Sequence, residues 1–182
     1  MYELATKLAD AGYSVLTFNF QGFCPAGETA GCSDGLLVAA GLHRDVGAAV
    51  DFMRARGTET VFLVGSSLGG TNVLYAAAQP NFEVAGVVAI SAPQFPSSGA
   101  GPPSLTPDVL QAIDEPKLFI VGENDPGWAA DSPAMYEAAA GPKQLEVVPR
   151  TNAHGEEMLS GFQDSVINRT TDLILEFLAA NS

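Results

Sequence analysis

The chain has 182 residues, 47% of them hydrophobic and 16% charged, a balance that supplies a globular core and excludes an intrinsically disordered chain. Its formal charge of −13 repels phosphate backbones and anionic bilayers, which sets aside nucleic acid and membranes as partners. No stretch reaches the roughly 18 apolar residues of a membrane span, and Met1-Tyr2-Glu3-Leu4 shows none of the basic and apolar regions of a signal peptide, so one cytoplasmic domain over residues 1–182 is expected.

In chain order, Leu4, Leu8 and Ala11 fall at helical spacing within residues 2–11, with Gly12 where a C-cap belongs. Residues 14–20 (SVLTFNF) are β-branched and aromatic and predict a strand. Residues 21–35 read as a loop holding both cysteines, Cys24 and Cys32. Their spacing fits no common metal site, and either two free thiols or a disulfide closing a small loop is compatible with it. Residues 38–56 predict a helix with Leu42, Val46, Ala49, Val50 and Met53 on one side, ended by Gly57.

Residues 60–64 (TVFLV), 84–91 and 117–121 (KLFIV) are continuous apolar runs, as strands buried on both faces of a parallel sheet should be. Residues 145–148 predict one more strand. Helices are expected at 68–78, 106–113, 132–140 and 161–180, the third with Ser132 as N-cap and Pro133 at its first position. The last carries Val166, Ile167, Leu173, Ile174, Phe177 and Leu178 toward the core. Strands separated by helices pair in parallel. The expected fold is a three-layer α/β/α sandwich with a mostly parallel sheet of about five strands, and ligands belong beyond the strands' carboxyl ends.

At one such end stands Gly65-Ser66-Ser67-Leu68-Gly69, a G-x-S-x-G motif between a predicted strand and a predicted helix. A serine exposed on so sharp a turn has strained backbone angles. The collision of side chains on either side with strand and helix calls for glycine at 65 and 69, and Gly70 leaves room for close helix packing. The helix N-terminus aims free N–H groups at a developing oxyanion, with the Leu68 N–H as first donor. The plainer alternative is a Gly-rich turn with Ser67 as an N-cap. A serine nucleophile needs a base, and the chain holds two histidines. His154 lies in the loop after 145–148. His43 lies inside a predicted helix and reads as a surface residue. Asp125, in the loop after 117–121, is the orienting carboxylate, and Glu123 is its rival, two residues nearer the strand. The chain order Ser67, Asp125, His154 is the order that accompanies G-x-S-x-G.

On Phe20-Gln21-Gly22-Phe23, the helix ending at Gly57, the motif at 65–70, Gly122 to Pro126 and Ala153-His154-Gly155, the chain resembles the α/β-hydrolase superfamily, most of all its small bacterial esterases and dienelactone-hydrolase-like members. The resemblance implies Ser67 as nucleophile, Asp125 as acid and His154 as base, with no metal and no organic cofactor. It also implies further N-terminal strands and a loop supplying a second oxyanion N–H, which this chain lacks before residue 14. The chain therefore reads as an N-terminally shortened member, a fragment or a chain started at an internal Met. The strand missing by resemblance lies between those at 14–20 and 60–64, so the two either pair directly or leave an edge exposed, and the backbone near Gly22 and Phe23 is a substitute donor. With a short segment at 92–116 in place of a lid, an open site for small or medium ester substrates is expected, walled by Phe23, Phe95, Trp128 and Met158. Serine at 67 favours ester chemistry over dehalogenation or epoxide hydrolysis, which place Asp there. The other reading is a non-catalytic or truncated relative that dimerises through an exposed sheet edge.

Overall fold

The computed structural model describes residues 2–23, 33, 41–94 and 104–182. Cys24, Cys32 and Phe95 lie outside them. In order along the chain come α1 (Tyr2–Asp10), α2 (His43–Arg54), β1 (Phe62–Ser66), α3 (Leu68–Ala77), β2 (Gly86–Ile90), α4 (Pro107–Gln111), β3 (Lys117–Gly122), α5 (Asp131–Ala138), β4 (Lys143–Val148), a 3₁₀ turn (Gly155–Met158) and α6 (Asp164–Ala180). The strands form one parallel sheet in the order β1-β2-β3-β4. Every residue of β2 and β3 is buried, which is why both are continuous apolar runs in the sequence.

Each strand is added on the same side of its predecessor, and right-handed crossovers then carry the intervening helices to one face. The pleat sorts the side chains accordingly. Val87, Ala89 and Phe119 pack on that face with Val46 and Val50 of α2, Leu74 of α3, Leu110 of α4 and Met135 of α5. Val88, Ile90, Leu118 and Ile120 point to the other face, against Leu4 and Leu8 of α1 and Ile174, Phe177 and Leu178 of α6. The result is the three-layer α/β/α arrangement. The described residues contain no helix long and apolar enough to cross a membrane.

Residues 14–20 are a correction, because they form no strand and run outside the four-stranded sheet. Phe20 packs against the core, but Val15 and Phe18 remain 38% and 44% exposed. The apolar alternation is there, and a neighbour to hydrogen-bond sideways is not, since β1 pairs with β2 alone among the described strands. Of the two outcomes left open, direct pairing is not found, and among the described residues no strand lies on the outer side of β1. The segment is instead held by its far end, where the Gln21 N–H donates to Asp45 Oδ2 at 2.7 Å. The α5 boundary also differs. Ala130 is the N-cap, and Ser132 and Pro133 lie inside the first turn, with Ser132 buried.

Candidate active site

Four loops leave the carboxyl ends of the strands, and three of them converge on one cleft. The first is the turn from β1 into α3. Ser67 has φ 49° and ψ −122°, a conformation costly for any residue with a Cβ. It is held on both sides: its N–H continues the ladder to the Ile90 carbonyl at 2.8 Å, and its carbonyl accepts from the Thr71 N–H at 3.1 Å. A Cβ at Gly65 would run into the backbone of Gly69 and approach Gly70 N to 2.7 Å, and one at Gly70 would approach Ala92 Cβ to 2.8 Å. A Cβ at Gly69 would meet nothing within 4 Å. The need for glycine at 69 is thereby corrected, since Gly65 and Gly70 carry the steric constraint. Leu68 is the first residue of α3, so its N–H has no partner within the helix.

The second and third loops are tied to each other. After β3, the Glu123 N–H donates to the Val148 carbonyl at 2.9 Å and the Asn124 N–H to the Thr151 carbonyl at 2.9 Å. The Glu123 carboxylate accepts from the Arg150 N–H at 2.7 Å. Glu123 therefore clamps the two loops together, while Asp125 faces the histidine. A Cβ at Gly122 would come within 2.9 Å of the Ala153 carbonyl, which measures how closely these loops pack. Gly155 takes φ +52°, and a Cβ there would stand 3.1 Å from Ser67 Cβ, so glycine is what lets the His154 loop reach the serine.

The side chains on these loops form one hydrogen-bonded chain. His154 Nδ1 lies 3.0 and 3.1 Å from the two Asp125 carboxylate oxygens, and Nε2 lies 2.9 Å from Ser67 Oγ. The Asp125 side chain is fully buried and that of His154 is 29% exposed. A carboxylate only accepts, so the Nδ1–H is the donor, and the Nε2 lone pair is left to face the serine hydroxyl. Such an arrangement is able to take the Oγ proton while a buried carboxylate stabilises the imidazolium. Glu157 adds a fixing contact: its carboxylate accepts from the His154 backbone N–H at 3.0 Å, and its own backbone N–H donates to the His154 carbonyl at 3.0 Å.

The cleft above this chain has a volume of about 660 Å³ and is lined by Ser66, Ser67, Leu68, Pro126, Trp128, His154, Glu156 and Glu157. Of the expected walls, Trp128 is present, its ring centroid 6.2 Å from that of His154. Met158 and Phe23 are corrections. Met158 is fully buried in the core beneath the sheet, where Ser91 Oγ donates to its Sδ at 3.5 Å. The turn that starts at Gly155 rolls it inward and leaves Glu156 and Glu157 outward. Phe23 is 45% exposed and does not line the cleft. Its N–H, a suggested second oxyanion donor, donates to the Phe20 carbonyl at 2.9 Å. The glutamates were missed as lining residues, although a Glu three positions after His154 is the spacing of a capping box and marks Glu157.

His43 lies on α2 as expected and is partly buried there. Its ring packs edge-on against Tyr75 at 4.9 Å, Nδ1 is buried without a hydrogen-bond partner, and burial pushes its pKa below the ordinary histidine value. It does not line the cleft. Among the described residues no cluster of three or more His, Cys, Asp or Glu is placed to hold a metal ion.

A family model for the α/β-hydrolase fold matches residues 1–108. Among solved structures, the chain is similar to a dienelactone hydrolase from Anabaena variabilis, at 24% identity and a TM-score of 0.62. That match covers 77% of this chain and 59% of the other, so the chain spans less than two thirds of that enzyme's length. A monoacylglycerol lipase from Paleococcus ferrophilus is 18% identical, with 98% and 88% of the two chains covered and a TM-score of 0.72. Est1E from Butyrivibrio proteoclasticus, solved with ferulic acid bound, is 16% identical, with 99% and 82% covered and a TM-score of 0.74. No curated protein sequence matches the chain.

Proposed function

The chain belongs to the α/β-hydrolase fold family, and from that premise we propose that it is a serine esterase acting on small or medium carboxylic esters. The observation that carries this reading is the unbroken chain Asp125–His154–Ser67, with its serine on a strained turn at the sheet's carboxyl edge. In the proposed reaction His154 Nε2 takes the Ser67 proton as Oγ attacks the ester carbonyl carbon. The carbonyl oxygen becomes the oxyanion and accepts from the Leu68 N–H at the head of α3. The imidazolium gives its proton to the departing alkoxide, which leaves an acyl ester on Ser67. Water, deprotonated by the same nitrogen, then attacks that ester, releasing the acid and restoring the hydroxyl. Asp125 holds Nδ1–H throughout.

The test is hydrolysis of p-nitrophenyl butyrate by the wild type, Ser67→Ala and His154→Gln. The expected result is a fall in kcat of at least about 10³-fold in either variant. Unchanged turnover in Ser67→Ala overturns the reading. One observation favours a second reading, a non-catalytic relative: the Phe23 N–H is engaged with Phe20, which leaves Leu68 as the named oxyanion donor, and loss of one donor costs about 10²–10³ in rate. The esterase reading accordingly carries the expectation of slow turnover. We also propose self-association through the outer edge of β1, the edge that no described strand covers.

A further inference from the structure

The charge of the cleft is lopsided. Beside Ser67 and His154 it presents two carboxylates, Glu156 and Glu157, and one indole, Trp128. None of the chain's eight Lys and Arg residues lines it. Several cations are engaged elsewhere: Lys7 with Glu3 and Arg169 with Glu146, Arg56 with the Phe52 ring, and the buried Lys117 with the carbonyls of Ala140 and Pro142. The net charge of −13 adds a negative field over the whole molecule, and a cleft with low-dielectric walls focuses such a field. A bare carboxylate brought here would meet the like charges of Glu156 and Glu157. A quaternary ammonium would meet two opposite charges and an aromatic face, the combination that attracts cations most strongly.

Building on the esterase reading, we propose that this cleft selects esters bearing a positive charge over neutral esters of the same shape, with Glu156, Glu157 and Trp128 as the selecting residues. Glu157 serves twice, since it also holds the His154 backbone. Selection is therefore read as a ratio between two substrates within each variant, which cancels any effect on the base.

The experiment pairs butyrylcholine with its uncharged isostere, 3,3-dimethylbutyl butyrate, at low ionic strength. The expected result is a kcat/KM for the cationic ester about tenfold above that for the isostere. The ratio should fall toward one in Glu156→Gln and Trp128→Leu, and shrink in 0.5 M salt, which screens charges at this exposure. Equal hydrolysis of the two esters overturns the proposal and leaves the esterase reading standing. If neither is hydrolysed, the esterase reading fails, and binding decides the selection. Trp128 is the chain's one tryptophan, so its fluorescence reports on the cleft directly. A saturable change on adding choline, absent with 3,3-dimethylbutanol, supports cation selection, and no change with choline overturns it.

Discussion

The two glycines that flank Ser67 in the G-x-S-x-G motif have different neighbours. Gly65 sits where any side chain would strike the backbone of Gly69, whereas Gly69 faces open space. Gly65→Ala is predicted to destabilise the fold by about 3 kcal/mol, the upper end of the usual cost of overpacking. Gly69→Ala should leave the thermal midpoint unchanged or raise it, because alanine favours a helix over glycine by about 1 kcal/mol. Melting curves of the two variants check both statements. Ser67, Asp125 and His154 were legible as candidates because each sits just past an apolar run and the chain has only two histidines. The inward turn of Met158 was not, since it depends on the positive φ of Gly155 and on core space that only the assembled sheet defines.

At the scale of elements, the loops after β3 and β4 act as one support because Glu123 bridges them through the Arg150 N–H. Glu123→Ala removes one charged acceptor and frees the two loops to shift apart. A charge-assisted bond at an exposed position contributes about 1 kcal/mol, so kcat should fall roughly fivefold. Because Glu123 touches neither the cleft nor His154, KM should hold. Steady-state kinetics separate the two, and a change confined to KM contradicts a positioning role. The same carboxylate competed with Asp125 in the sequence, where distance from the strand was all there was to choose by. Strands β2 and β3 were readable because burial on both faces leaves an uninterrupted apolar signature. Residues 14–20 carry a similar signature without becoming a strand. Side-chain pattern reports what lies above and below a segment and says nothing of what lies beside it.

For the whole molecule, the consequence is the side of β1 that no described strand covers. The Val61 carbonyl and the Ser67 N–H both serve β2, so by alternation Phe62, Val64 and Ser66 present their backbone N–H and C=O groups outward. An open row of this kind is a template for pairing with a second chain. Light scattering after gel filtration should give a mass above that of the 18.8 kDa chain that rises with concentration over the micromolar range, and a constant monomeric mass up to about 100 µM contradicts this. The sheet, its layers and its helices bring three loops to one point, and the central claim is that they make an activated serine there. The most direct measurement is covalent labelling with a fluorophosphonate, which reacts with a serine hydroxyl only when a base is drawing off its proton. The account predicts stoichiometric labelling of the folded wild type that is lost in Ser67→Ala. A folded wild-type chain that takes no label contradicts it.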